Sequence, residues 1–215
     1  MSNTRLFKLY IISTIPSDKA EYIQMAEESA KGGADVFQLR VKNLPDKEFL
    51  AQAKKVKAIC ARYNVLFIIN DRVDITLACQ ADGVHLGQDD MPLQTAREIL
   101  GKDKIIGCST HSLEQALKAE EEGADYIGVG PIFSTPTKPD YKEVGVELIE
   151  KVSKKINIPF VAIGGINLDN LESCLNAGAR AVAVVRAVSG SNDIKKNAEL
   201  FKERIDKHRH SGICV

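Results

Sequence analysis

One phrase, repeated at long intervals, constrains the fold of this 215-residue chain more than any other feature. Gly33-Ala34-Asp35 precedes Val36-Phe37-Gln38-Leu39, Gly123-Ala124-Asp125 precedes Tyr126-Ile127-Gly128-Val129, and Gly178-Ala179-Arg180 precedes Ala181-Val182-Ala183-Val184. Ala81-Asp82-Gly83 before Val84-His85-Leu86 is a weaker copy. Stretches of helical periodicity lead into the full copies: Ala20 to Lys31, Leu113 to Glu122 and Leu171 to Ala177. Each copy opens a short run that is apolar at nearly every position, so the unit reads as helix, glycine stop, buried strand.

Leu9 to Ile12, Leu66 to Ile69, Ile105 to Cys108 and Pro159 to Ile163 supply four more such runs, making eight strands. Strands apolar on both faces and alternating with helices belong in a parallel sheet. Eight such units in a chain of this length predict the α/β class and a single (β/α)8 TIM barrel. An open doubly wound sheet is the alternative, but Ser13-Thr14-Ile15-Pro16 after the first strand contains no G-x-G-x-x-G turn. Residues 1–215 therefore read as one domain, with a short lead-in over 1–5 and a flexible tail from about 209 to 215.

Composition narrows the function classes. Lys plus Arg equals Asp plus Glu at 29 each, so no bulk field draws the chain to nucleic acid or an anionic membrane, and any anion must be captured locally. No apolar run approaches the ~20 residues of a membrane span, and Met1 to Lys8 lacks the core of a signal peptide. Cys60, Cys79, Cys108, Cys174 and Cys214 are scattered and odd in number, as expected of reduced thiols in a cytoplasmic protein.

In a parallel barrel the loops after the strands form the active face, so polar residues just past each apolar run are the candidates. Gln38, Arg40 and Lys42 alternate at the end of strand 2, and two cations and an amide on one side suit an anion. Asn70-Asp71 ends strand 3 and Gln88-Asp89-Asp90 follows strand 4; carboxylates without a Cys or His cluster suit Mg²⁺, whose coordination a diphosphate would complete. Adjacent Asp89 and Asp90 point apart, and Asp90 before Met91-Pro92 also fits a helix cap. After strand 5, Ser109 is placed to bond substrate, while Ser112, with Gln115 three residues on, reads as a cap. His111 fits either a general base or a packing role, and His85, inside strand 4, reads as structural. The stretch Gly128 to Pro139 has the small residues, hydroxyls and Lys138 of a lid, or of an ordinary surface loop. Gly164-Gly165 after strand 7 and Val185-Arg186 after strand 8 occupy the usual monophosphate position of such barrels. A diphosphate near strands 2 to 5 and a phosphate near strands 7 and 8 imply two substrates in one mouth.

Taken in order, Gln38-Leu39-Arg40-Val41-Lys42, Asn70-Asp71, His85-Leu86-Gly87-Gln88-Asp89-Asp90, Ser109-Thr110-His111-Ser112, Gly130 to Lys138 and Gly164-Gly165-Ile166 resemble the thiamine-phosphate synthase family over nearly the whole chain. The resemblance implies condensation of two phosphorylated heterocycles, a pyrimidine diphosphate and a thiazole phosphate, with loss of pyrophosphate. It implies Mg²⁺ on Asp71 and Asp90, and the pyrimidine diphosphate on Gln38, Leu39, Arg40, Val41, Lys42, Asn70, Ser109 and Lys138. It implies the thiazole phosphate on Thr135, Pro136, Thr137, Gly165, Val185 and Arg186, and catalytic roles for Arg40, Lys42, Ser109 and Lys138. Val41 stands where the family often has an acid, and Arg186 where many members have Ser, which leaves the role of Arg186 open. The metal-free thiazole tautomerase branch resembles the chain in fold, but typically has His at the place of Pro131 and lacks the paired aspartates. A ligand-binding barrel without catalysis is the third reading.

Overall fold

The structure is a computed structural model describing residues 7–14, 18, 21–136 and 142–211, with side chains described as far as residue 208. Among the described residues, strands and helices alternate strictly. The first half runs β1 (Leu9–Ile12), α1 (Glu21–Lys31), β2 (Val36–Leu39), α2 (Asp46–Tyr63), β3 (Leu66–Asn70), α3 (Val73–Ala78), β4 (Gly83–Leu86), α4 (Leu93–Leu100). The second half runs β5 (Ile105–Thr110), α5 (Leu113–Glu121), β6 (Tyr126–Val129), α6 (Val146–Lys155), β7 (Phe160–Ile163), α7 (Leu171–Asn176), β8 (Val182–Val184) and α8 (Ile194–Ser211). Every strand pairs in parallel with the next, and β8 returns to β1 through Tyr10 opposite Ala183, closing the (β/α)8 TIM barrel that the sequence predicts.

The repeated phrase builds the end of the barrel opposite the strand-end loops. Gly33, Gly123 and Gly178 follow α1, α5 and α7 with φ of 88°, 87° and 104°, and Gln80 holds the equivalent place in the weaker copy at 55°. The aspartate two residues on then ties its strand to the preceding one. Asp35 Oδ2 accepts Leu9 N–H at 2.9 Å, Asp82 Oδ2 accepts Phe67 N–H at 2.8 Å, and Asp125 Oδ2 accepts Ile106 N–H at 2.7 Å. A cation from a surrounding helix completes each: Lys202 and Lys57 at 2.7 Å, Arg97 at 2.5 Å. In the fourth copy the place belongs to Arg180, which is exposed.

Two apolar layers follow from the period of two along each strand. Residues such as Leu9, Phe37, Leu39, Ile69 and Val84 face outward and pack under the helices. Tyr10, Val36, Ile68, Tyr126, Val161 and Ala181 face inward and fill the barrel. Phe37 and Leu39 are fully buried, each contributing about 1.5–3 kcal/mol by removal from water. Above this plug the inward positions turn polar, and they form the floor of a cavity.

Candidate active site

The cavity opens at the C-terminal ends of the strands and holds about 470 Å³, within the range of small-molecule sites. Gln38, Arg40, Asn70, His85 and Ser109 line one side, and Thr135, Pro136, Gly165, Val185 and Arg186 line the other. The two residue sets expected to hold different substrates thus share one space.

On the first side, Gln38 is buried and Arg40 half-buried. Ser13, just past β1, fixes the Arg40 backbone from both ends: its Oγ accepts Arg40 N–H at 2.9 Å and donates to Arg40 C=O at 3.2 Å. Lys42 departs from the expected alternation. The ladder ends at Leu39, so nothing holds Lys42 to the face of Gln38 and Arg40; it lies outside the cavity lining, with Nζ 2.9 Å from Asp71 Oδ2. Leu39 is buried in the layer beneath the helices, and Val41 packs against that layer, so neither side chain faces the cavity.

Asp71 and Asp90 interact as a carboxylate pair next to Asn70, and neither is among the residues that line the cavity. Asp71 takes a left-handed backbone, φ 63°, and donates its N–H to His85 C=O at 2.9 Å, turning the chain at the end of β3. The helix-cap reading of Asp90 is corrected: α4 starts after Pro92 with no side-chain cap, and Asp90 Oδ2 instead accepts Gly87 N–H at 2.6 Å. Desolvation, reinforced by the neighbouring Asp71 carboxylate, pushes the Asp90 carboxyl above its ordinary range, while the Gly87 N–H and Lys42 act the other way. Among the described residues no cluster of three His, Cys, Asp or Glu gathers. Two carboxylates without His or Cys have the donor chemistry that suits a hard, oxygen-seeking cation.

On the far side, Gly164 and Gly165 have φ of 101° and 65°, and a Cβ on Gly165 would lie 2.7 Å from Phe133 Cβ. Only glycine lets the stretch after β6 lie directly on the end of β7. Ile132 N–H donates to Ile163 C=O at 2.9 Å and Phe133 N–H to Gly164 C=O at 3.0 Å. The return of the same loop closes over its start: Val144 N–H donates to Pro131 C=O at 2.8 Å, and Ser134 N–H to Glu143 Oε2 at 2.9 Å. Thr135 and Pro136 stand at the top of this stem; Thr137 and Lys138 lie outside the described residues. Arg186 lines the cavity but is largely exposed.

Ser112 caps α5 as expected, accepting Gln115 N–H at 3.2 Å, while Gln115 Oε1 reaches past it to His111 N–H at 2.7 Å. His111 lines the cavity with Nδ1 bonded to Gly130 C=O. Sequence reasoning gave no site role to the groups supporting Ser109: Gln88 Nε2 donates to its carbonyl at 2.6 Å, and His85 Nε2 lies 3.0 Å from its hydroxyl. Nor did it connect His85 to Tyr126, whose hydroxyl lies 2.9 Å from His85 Nδ1. A signal was available in the glycines inside β5 and β6. A Cβ on Gly107 would stand 2.1 Å from Tyr126 Cζ, and one on Gly128 3.3 Å from His85 Cε1; glycine within a strand marks such close approach. Cys60, Cys79, Cys108 and Cys174 are buried, and burial pushes the Cys60 thiol up to about 12 and those of Cys108 and Cys174 to about 11. These three thiols stay protonated near neutrality and are poor nucleophiles.

The family model described as thiamine monophosphate synthase matches residues 9–188. A thiamine-phosphate synthase of Halalkalibacterium halodurans is 45% identical over 205 residues, spanning 94% of this chain and 97% of that one. One from Prochlorococcus marinus is 49% identical over 173 residues, 80% of this chain, which matches only 50% of the longer relative. Among solved structures, the thiamine phosphate pyrophosphorylase of Pyrococcus furiosus superposes with a TM-score of 0.87 at 40% identity, over 94% of this chain and 97% of that one. With identity of this order over nearly the full length, and a family match that contains all eight strands, the chain belongs to the thiamine monophosphate synthase family.

Proposed function

We propose that the chain is a Mg²⁺-dependent thiamine-phosphate synthase. It condenses 4-amino-2-methyl-5-hydroxymethylpyrimidine diphosphate with 4-methyl-5-hydroxyethylthiazole phosphate, or its carboxylated form, to give thiamine phosphate and pyrophosphate. The observation that carries this reading is the single cavity lined by Gln38, Arg40, Asn70 and Ser109 on one side and by Thr135, Gly165, Val185 and Arg186 on the other.

Gln38, Asn70 and Ser109 orient the pyrimidine diphosphate, and the guanidinium of Arg40 meets its phosphates. Asp71 and Asp90 would hold Mg²⁺, which supplies positive charge to the departing diphosphate. Arg40, Lys42 and Lys138 stabilise the same negative charge as the C–O bond breaks. The pair of electrons leaves with pyrophosphate, and the aminopyrimidine ring spreads the positive charge left on its methylene carbon. The thiazole nitrogen, positioned by contacts to its phosphate at Gly165, Thr135 to Thr137 and Arg186, then donates its lone pair to form the C–N bond. Positioning and electrostatics carry such a reaction, so it asks for no nucleophilic side chain. A cytoplasmic location and small-molecule partners, without nucleic acid or membrane, complete the reading; no helix among the described residues is long and apolar enough to cross a membrane.

The test supplies purified protein with both substrates and Mg²⁺ and quantifies products by liquid chromatography. Thiamine phosphate and pyrophosphate are expected in equal amounts, with none on omission of either substrate and a large loss on chelation of the metal. No product at saturating Mg²⁺, or metal-free isomerisation of a thiazole carboxylate instead, overturns the proposal.

A further inference from the structure

A chain of polar groups runs from the cavity floor at Gln38, through two tyrosines in the barrel interior, and back to the floor at His85 and Ser109. Gln38 Nε2 donates to the Tyr10 hydroxyl at 2.7 Å, the Tyr10 and Tyr126 hydroxyls lie 2.8 Å apart, Tyr126 Oη lies 2.9 Å from His85 Nδ1, and His85 Nε2 lies 3.0 Å from Ser109 Oγ. Four strands contribute: β1, β2, β4 and β6 lead to Ser109 on β5. Both tyrosines are almost wholly buried. Burial pushes both phenols well above their ordinary range, so each keeps its single proton.

With the Gln38 amide nitrogen facing Tyr10, that count of protons fixes a direction. Tyr10 oxygen accepts from the Gln38 amide, so its own proton goes to Tyr126; otherwise two hydroxyl protons meet or one is left buried without an acceptor. Tyr126, accepting from Tyr10, gives its proton to His85 Nδ1. An imidazole that accepts at Nδ1 carries its proton on Nε2 and donates it to Ser109 Oγ, which leaves the serine proton to point elsewhere. Ser109 lines the cavity.

We propose that Tyr10, Tyr126 and His85 are positioning residues: they form a one-way hydrogen-bond chain that locks His85 as its Nε2–H tautomer and makes Ser109 an obligate donor into the cavity. The acceptor is an atom of the pyrimidine diphosphate, a ring nitrogen or a phosphate oxygen; this last step rests on the synthase reading above. The strand glycines are part of the device, since Gly107 leaves room for the Tyr126 ring and Gly128 for the imidazole. The serine therefore discriminates: a substrate presenting an acceptor there takes its proton, whereas one presenting a donor uses the remaining lone pair and leaves that proton without the acceptor.

The test is long-range ¹H–¹⁵N correlation on the full-length protein labelled at histidine, recorded at pH 8 without substrate, with the His85 signals assigned by their loss in His85→Gln. The expected pattern is a pyridine-type Nδ1 and a protonated Nε2; an Nδ1–H or averaged pattern overturns the proposal. Tyr126→Phe should abolish the preference and lower kcat/KM about tenfold, the usual scale of one lost hydrogen bond. The Tyr126→Phe, Ser109→Ala double variant should be no slower than Ser109→Ala alone, because both act through the same hydroxyl. Multiplying losses, or a His85 tautomer unmoved by Tyr126→Phe, contradict the chain. Tyr10→Phe, one link further back, replaces Tyr126→Phe if that variant does not fold: it leaves His85 Nδ1 to accept the Tyr126 proton, so the Nε2–H tautomer should persist, and its loss contradicts the chain. A protein that makes no thiamine phosphate leaves the tautomer result standing and removes only the assigned acceptor.

Discussion

Asp71 combines two properties that separate its chemistry from its structural role. Its backbone is left-handed, a conformation that Asp and Asn tolerate better than other non-glycine residues. Its carboxylate is paired with the Lys42 ammonium in an ion pair whose lysine side chain is 42% exposed. Exposed pairs contribute little to stability. Asp71→Asn therefore keeps the turn and should change the unfolding free energy by less than about 1 kcal/mol in urea. If Asp71 holds Mg²⁺ as proposed, the same variant should raise the Mg²⁺ concentration for half-maximal rate by about tenfold or more, because a carboxylate becomes an amide. Initial rates over a Mg²⁺ titration give the answer, and an unchanged curve removes Asp71 from the metal site. At this scale the sequence announced position: Arg40, just past a strand end, lines the cavity, and Asp71 stands next to Asn70, which does. It hid residues whose part depends on a partner far away in the chain. Tyr10 and Tyr126 are 116 residues apart, and nothing local in either run states that their hydroxyls meet.

The aspartates of the repeated phrase have their effect at the level of the strand. Asp82 both accepts Phe67 N–H and pairs with Lys57, joining β3 to β4 and to α2. Asp82→Ala deletes both bonds and leaves a strand-edge N–H without its partner, which should cost about 2 kcal/mol. Asp82→Asn keeps an acceptor for the N–H and should cost about half as much. Urea unfolding of the two variants checks the order; an alanine variant as stable as the asparagine variant would contradict the assignment of the N–H bond. Turnover per folded molecule should not change, because Asp82 lies at the barrel end opposite the cavity. The strands themselves were readable to within about two residues, because buried parallel strands are continuous apolar runs. Where the ladder stops was less readable: Lys42 keeps the alternation in sequence but lies past the last paired residue, Leu39. The alternative of Asp90 as the cap of α4 also failed, because its side chain bonds backward to Gly87 rather than forward into the helix.

At the scale of the whole molecule, barrel closure is what gives distant residues a common site. Arg40 and Arg186 stand 146 positions apart in sequence, yet β8 pairs with β1 and β1 with β2, so both line the same cavity. The alternation of helix and strand was enough to predict that closure, and with it the face on which the site would lie. It was not enough to predict the buried polar chain, since inward-facing tyrosines read as core until the opposite strands are in register. The proposed condensation requires a pyrimidine diphosphate and a thiazole phosphate to be held together in this one cavity, reacting atoms adjacent. The most direct measurement is the interligand nuclear Overhauser effect in the presence of Mg²⁺, between the thiazole phosphate and an unreactive pyrimidine analogue whose diphosphate cannot leave. Cross-relaxation between the analogue's methylene hydrogens and the thiazole ring substituents is predicted, lost on displacement by thiamine phosphate. Binding of each ligand without interligand contact, or mutually exclusive binding, would rule out a shared site for the condensation.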